Sequence, residues 1–144
     1  MKKVLLITGG GRGIGAAISR MAAAQGYRVA INYRDDRSRA EALAAEIEAQ
    51  GGKAVAIAAD VSSEAEVKEL FARTVAALGP LSHVVNNAGI TGRSGRLDEA
   101  SAETIAKTIA VNLTGAVLVA REAVRHLSPR HGGKGGVKIG RAHV

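Results

Sequence analysis

Val4-Leu5-Leu6-Ile7-Thr8-Gly9-Gly10-Gly11-Arg12-Gly13-Ile14-Gly15 is the stretch on which the fold of this chain turns. The unbroken apolar run at 4–8 reads as a strand buried on both faces, the habit of parallel sheets. It runs straight into glycines and then an alanine-rich segment in which Ile14, Ile18 and Met21 recur at helical spacing, with a stop near Gly26. In that context the glycines have mechanical tasks. Gly9 permits the tight turn, Gly13 lets the backbone approach a pyrophosphate with no Cβ in the way, and Gly15 lets the helix pack close to the strand. The first N–H groups of the helix, around Ile14, then face an anion, where the helix dipole also favours negative charge. A plain glycine turn is the bland alternative. No Gly-Lys-Ser/Thr follows, so a P-loop is excluded.

Outward from this stretch the same alternation continues. Residues 29–33 form a second strand, and 36–50 a second helix with Ala40, Leu43, Ala44 and Ile47 inward, ended by Gly51-Gly52. Residues 53–59 give a third strand with Val55 and Ile57 inward. Ser63-Glu64-Ala65-Glu66 is a capping box opening a third helix, with Val67, Leu70, Phe71 and Val75, closed at Gly79-Pro80. A fourth strand at 83–86 and one long fourth helix at 101–127 follow. Strand and helix in strict alternation with short joints give right-handed βαβ units, hence an α/β fold with a doubly wound parallel sheet. From Ser128 the composition turns polar and glycine-rich, and 129–136 reads as loop or disorder.

With 144 residues this is one domain at most, long enough to bury a core without disulfides or metal. The absence of cysteine excludes a disulfide scaffold, a cysteine nucleophile and a Cys-type zinc site, and no metal site is expected. No apolar run approaches the roughly 20 residues of a membrane span, and the amino terminus meets glycines too early for a signal peptide. The expectation is a cytoplasmic protein with no membrane partner. The net charge of +7 sits mainly in residues 121–144, where Arg121, Arg125, Arg130, Lys134, Lys138 and Arg141 face Glu122 alone. That segment has no aromatic side chain to stack on a base, so nucleic acid is not expected as a partner.

The end of the second strand speaks to which dinucleotide is held. An NAD site usually carries an acid there for the ribose hydroxyls, whereas a 2′-phosphate needs a cation. Here the strand ends Asn32-Tyr33-Arg34, and Arg12 stands in the glycine turn on the same side. Two guanidinium groups on one 2′-phosphate favour NADP over NAD. Against this, both arginines can be solvated surface residues, and Asp35 and Asp36 can neutralise Arg34.

Four motifs in order carry a resemblance: Thr8-Gly9-x-x-x-Gly13-x-Gly15, Asp60-Val61 after the third strand, Asn86-Asn87-Ala88-Gly89 after the fourth, and Asn112 in Val111-Asn112-Leu113-Thr114-Gly115. Over residues 2–136 the chain resembles the short-chain dehydrogenase/reductase family, and within it the 3-oxoacyl-carrier-protein reductase and glucose 1-dehydrogenase type. The resemblance implies a Rossmann-type fold in which Gly9, Gly13, Ile14 and Gly15 hold the pyrophosphate and Arg12 marks NADP preference. It implies that Asp60 accepts from the adenine amino group, that Val61 packs near the ring, and that Asn87, Ala88 and Gly89 line the ribose side. Asn112 corresponds to the family's catalytic asparagine, whose backbone orders a water in a proton relay. A hydrogen-bonded structural asparagine is the alternative there.

That family completes its site with a serine, a tyrosine and a lysine four residues after the tyrosine. Here Ile31 stands four residues after Tyr27 and Arg37 four after Tyr33, and both tyrosines lie in or beside the second strand, on the wrong side of the sheet. The family's fifth strand is due near Val137. Instead, Ile139-Gly140-Arg141-Ala142-His143-Val144 lacks a strand period and matches one translation of a common sequencing-adapter oligonucleotide running into a stop codon. The expectation is therefore a cofactor-binding domain at 1–137, truncated after the fourth strand and long helix, with a non-native tail at 138–144. The fourth strand is then an open edge, and Ile105, Ile109, Leu113, Val117, Leu118 and Val124 lose apolar cover. The function expected is hydride transfer between NADP(H) and a carbonyl or alcohol, present here only as an inactive cofactor half of a homo-oligomeric parent. A non-catalytic NADP(H)-binding module is the competing reading. Residues 92–96 border the substrate pocket or form a surface loop.

Overall fold

The computed structural model describes residues 2–92 and 95–140. Its elements are β1 (Val4–Ile7), α1 (Gly13–Ala24), β2 (Arg28–Tyr33), α2 (Arg37–Ala49), β3 (Lys53–Ala58), α3 (Glu64–Leu78), β4 (His83–Asn86), α4 (Ala102–Ile109), a π-helical segment Ala110–Gly115, α5 (Ala116–Leu127) and β5 (Val137–Gly140). The strands run parallel in the order β3-β2-β1-β4-β5.

Alternation along the strands sorts the core into two layers. Val4, Leu6, Ala30, Ile57 and Val84 meet Val67, Leu70 and Phe71 of α3 and Val119, Ala123 and Leu127 of α5. Ile7, Val29, Ile31 and Ala54 meet Ala16 of α1 and Ala40, Leu43 and Ile47 of α2 on the other face. The chain thus lays α1 and α2 on one face, then crosses with α3 to the other. β1 and β4 are the neighbours at which the winding reverses, and ligands in open α/β sheets bind beyond the strand ends at that point.

Four expectations change. First, β5 exists: Val137–Gly140 pairs in register with His83–Asn86, so β4 is an interior strand and the sheet does not end with it. The segment leading into it is an ordered loop. Pro129–His131 makes a 3₁₀ turn, Gly133 N–H donates to Ser128 O (3.0 Å), Gly135 N–H to Leu127 O (2.8 Å) and Val137 N–H to Ser82 O (3.0 Å). A Cβ on Gly133 would lie 2.5 Å from the Leu127 carbonyl carbon, and one on Gly136 2.7 Å from Leu127 Cδ2. These glycines let the chain pass under α5, which explains a composition that looks structureless. All four β5 residues are exposed, so no alternation was there to read. Residues 93, 94 and 141–144, and with them the middle of the 92–96 segment and most of the expected tail, lie outside the described residues.

Second, the long helix is continuous over 26 residues, Ala102–Leu127, but carries a π turn at its centre. Its best 18-residue window has a mean hydropathy of 1.3, long and apolar enough to cross a membrane by length and composition. It lies on the sheet through Val111, Gly115, Val119, Ala123 and Leu127, and holds the buried Glu122 against Arg125 at 2.6 Å. Ile105, Ile109, Leu113, Val117 and Val124 are exposed, as expected, but Leu118, expected with them, is half-buried and packs against the core.

Third, α1 buries Gly15, Ala16 and Ser19, while Ile14 (64% exposed) and Met21 (70%) face outward. Of the three apolar residues read at helical spacing only Ile18 packs against the core, because the face nearest β1 takes small residues. Fourth, the capping box is only half made. Ser63 Oγ accepts from Glu66 N–H (3.3 Å), but Glu66 Oε2 turns away to accept from Asp60 N–H (2.6 Å).

Candidate functional site

A cleft of about 540 Å³ opens over the carboxyl ends of β1, β2, β3 and β4. That volume falls in the range of ligand pockets. Gly9, Arg12, Gly13, Ile14, Gly15, Arg34, Asp60, Val61, Asn87, Ala88 and Gly89 all line it, and Asn112 is the one expected residue set back from it.

The turn after β1 is built from outside as well as from its own residues. Thr8, fully buried, accepts from the N–H groups of Asn87 and Ala88 through Oγ1, both at 2.9 Å. Asn87 Nδ2 donates to the carbonyls of Thr8 (3.1 Å) and Gly9 (3.2 Å). Its side chain is therefore spent on holding the turn, more than on lining the ribose side. Ser19 Oγ bridges the carbonyls of Gly10 (3.3 Å) and Gly15 (2.9 Å), fastening the helix to the turn.

Asn32 is the residue that sequence reasoning missed. Only 2% exposed, it accepts from Gly9 N–H through Oδ1 (3.2 Å) and donates through Nδ2 towards the carbonyls of Ile57 (3.3 Å) and Ala59 (3.1 Å). It ties the glycine turn to the end of β3. A single amide closing an apolar strand has no period, and only its cost if left unpaired could have marked it.

The cleft has an anion end. The N-terminus of α1 has no side-chain cap and no acid in its first turn, whereas Asp36 caps α2 and Ser63 caps α3, the latter with Glu64 and Glu66 following. Free helical N–H groups with no competing carboxylate are a site for phosphate. Gly13 has φ of +51° and no atom within 4 Å of an added Cβ, so an incoming group meets only backbone. Gly15 is different: a Cβ there would run into Gly9 O and lie 2.9 Å from Asn87 Nδ2 and Gly10 Cα.

At the other end Asp60 is held from three sides. Glu66 takes its N–H, Ser63 N–H donates to its carbonyl (3.0 Å), and its Oδ1 accepts from Ser62 N (2.9 Å) and Oγ (2.6 Å). Partial burial pushes its carboxyl up, but the Ser62 bonds and the charges of Arg34 and Lys107 outweigh this and hold it below the usual range. Asp60 is thus an ionised acceptor, with both bonds on one oxygen. Arg34 pairs with Asp35, its Nη2 at 2.6 Å and Nε at 2.7 Å from Oδ2. The neutralisation weighed from the sequence is therefore realised. Tyr33, at the end of β2, also lines the cleft; Tyr27 packs edge-on against His83, ring centres 5.0 Å apart.

Asn112 sits within the π turn and grips Ile90 on both sides, accepting from its N–H (2.8 Å) and donating to its carbonyl (2.7 Å). Asn86 Nδ2 donates to Ala116 O (2.7 Å) just beyond that turn. A π turn interrupts the regular i→i+4 ladder, and Asn86 satisfies one carbonyl from the strand side. The side chain of Asn112 thus fixes the floor of the cleft through Ile90, a structural bond that leaves its backbone role open.

Three comparisons bear on this arrangement. Versicolorin reductase 1 of Aspergillus parasiticus is 42% identical over 132 residues, covering 92% of this chain and 49% of that protein. A short chain dehydrogenase from Burkholderia cenocepacia, solved in complex with NADP, superposes with a TM-score of 0.85 at 41% identity, covering 96% of this chain and 54% of that one. A 3-ketoacyl-ACP reductase from Sinorhizobium meliloti gives a TM-score of 0.87 at 39% identity, covering 95% and 52%. The chain spans about half the length of the curated relatives it matches. The family model described as short chain dehydrogenase matches residues 3–137, and this chain belongs to that family.

Proposed function

We propose that this chain is the cofactor-binding portion of an NADP(H)-dependent oxidoreductase acting on a carbonyl or alcohol, of the 3-oxoacyl-carrier-protein reductase type. The observation that carries the reading is the uncapped, acid-free N-terminus of α1 opening on a cleft with Arg12 and Arg34 at its rim and an ionised Asp60 beyond. The neighbour solved with NADP supports the cofactor, and the 3-ketoacyl-ACP reductase supports the type. Bound NADP(H) supplies the hydride. The N–H groups at Gly13, Ile14 and Gly15 hold the pyrophosphate, Asp60 accepts from the adenine amino group, Val61 packs on the ring, and Ala88 and Gly89 leave room for the sugar. The Asn112 backbone orders water for proton transfer in the whole enzyme.

Titration of the 144-residue chain with NADPH and NADH tests this: NADPH binds at least tenfold tighter, and equal affinities refute it. The serine and the Tyr-x-x-x-Lys pair lie in the part of the enzyme beyond these residues, so this chain alone does not reduce carbonyls; a measurable rate overturns that. The parent protein is a cytoplasmic homo-oligomer in which the exposed stripe of Ile105, Ile109, Leu113 and Val117 packs against a second copy. The competing reading is a non-catalytic NADP(H)-binding module that uses the same cleft. The coding DNA across residues 130–144 separates them. Downstream serine and Tyr-x-x-x-Lys codons support the enzyme and the adapter origin of 139–144; an authentic stop supports the module.

A further inference from the structure

A 2′-phosphate brings close to two negative charges. Of the cations near β2, Arg34 is engaged with Asp35, and Arg39 with Asp36 (3.2 Å). Arg12 alone is a thin counter-charge. A second cavity of about 620 Å³ adjoins the first, and Arg12, Arg34, Gly89 and Ile90 line both. Its far wall is α4, which contributes Glu103, Thr104, Lys107 and Thr108. Arg12 and Arg34 thus stand at the seam of one two-lobed groove, and Lys107 faces that seam from the opposite side.

Two further facts single out Lys107. Among the described residues it makes no ion pair, not even with Glu103 one turn earlier, and the same holds for Arg12. Its charge also helps, with that of Arg34, to hold the Asp60 carboxyl below the usual range. A long, exposed ammonium on a flexible stem suits a doubly charged phosphate at a rim, where it gives up rotamer freedom but little hydration.

We propose that Lys107 is a third cation for the adenosine 2′-phosphate and, with Arg12, sets the preference for the phosphorylated dinucleotide. The proposal rests on the NADP(H) reading above. Helix α4 then acts as a reader of the cofactor and not only as a support for the π turn.

Calorimetric titration of the 144-residue chain with adenosine 2′,5′-bisphosphate and with 5′-AMP isolates the 2′-phosphate from the rest of the dinucleotide. Lys107→Ala weakens the bisphosphate about tenfold, the scale of one partly screened charge contact, and leaves 5′-AMP unchanged. Lys107→Arg restores most of the loss. Lys68→Ala, which removes the same charge from α3, changes neither. If wild type favours the bisphosphate and Arg12→Ala abolishes that preference while Lys107→Ala keeps it, Lys107 is refuted and the NADP(H) reading stands. If Lys107→Ala weakens both probes equally, the lysine does not read the phosphate. If wild type shows no preference for the bisphosphate, the cofactor reading and this proposal fall together. Circular dichroism of each variant verifies that the fold is kept.

Discussion

Replacing Gly15 by alanine is a stringent test of how the glycine turn is built. Judged by helix propensity, the change stabilises α1 by about 1 kcal/mol. Judged by packing, the new methyl meets Gly9 O, Gly10 Cα and Asn87 Nδ2, the last two at 2.9 Å. The first two are backbone atoms of a turn that Asn32, Asn87 and Ser19 hold in place, so none can step aside alone. Overpacking of this kind costs about 1–3 kcal/mol, and displacing Gly9 O from Asn87 adds about 1 kcal/mol for a weakened hydrogen bond. The net expectation, after the helix-propensity gain, is a loss of about 1–3 kcal/mol, a fall in Tm of about 3–10 °C for a chain of this size. Gly13→Ala is the comparison: its Cβ meets nothing, and only the positive φ of +51° is penalised, by about 1 kcal/mol. Urea unfolding followed by circular dichroism at 222 nm measures both. Gly15→Ala must be the more destabilising of the two and must also weaken NADPH binding. A Gly15→Ala variant as stable as wild type would refute the close-packed turn.

Other expectations follow from the polar bonds behind the cleft. Asn86→Ala strands the Ala116 carbonyl beside the π turn and lowers stability by about 1–3 kcal/mol in urea unfolding; no change would mean that the carbonyl finds another donor. Asn112→Ala removes both grips on Ile90, so amide exchange at Ile90 accelerates at least tenfold, while an unchanged rate would deny the asparagine its part in fixing the floor. Burial, with Lys3 nearby, holds the His83 imidazole below its ordinary 6.5. The unfolded chain therefore binds more protons as pH falls through 6.5, and stability drops on acidification from pH 7.5 to 5.5 and is recovered on raising the pH. Urea midpoints across that range should flatten in His83→Gln, and an unaltered slope would remove His83 as the cause.

Much of this was legible because it rests on local chemistry. The β1 run, the glycine turn and the Gly-bounded helices are set by neighbours in sequence, and the strand-end position of Asp60 follows from counting elements. What escaped depends on distant partners. β5 is exposed along its length and carries no alternation; its place is fixed by Gly133 and Gly136 passing beneath Leu127 and beside Ser82. The π turn is silent because one extra residue in a turn only shifts the phase of a helical pattern. The inward face of the long helix mixes Gly115 and Ala123 with Val111, Val119 and Leu127, while Leu113 and Val117 are exposed, so apolar size alone does not mark which face is buried. The Arg34–Asp35 pair, by contrast, is between sequence neighbours and was weighed from the sequence.

Asn32 has a bearing on redesign. An engineer seeking to turn the cleft toward an unphosphorylated dinucleotide would look to put a carboxylate at the end of β2, and the asparagine offers itself as the smallest edit. Asn32→Asp would exchange an amide that donates to two carbonyls for an acid facing those same two oxygens, in a place almost closed to water. The edge of β2 therefore divides into a locked position and two negotiable ones. Tyr33 and Arg34, at the rim, can be rewritten to choose a ligand, while Asn32 keeps the turn and the sheet in one piece whichever ligand is chosen.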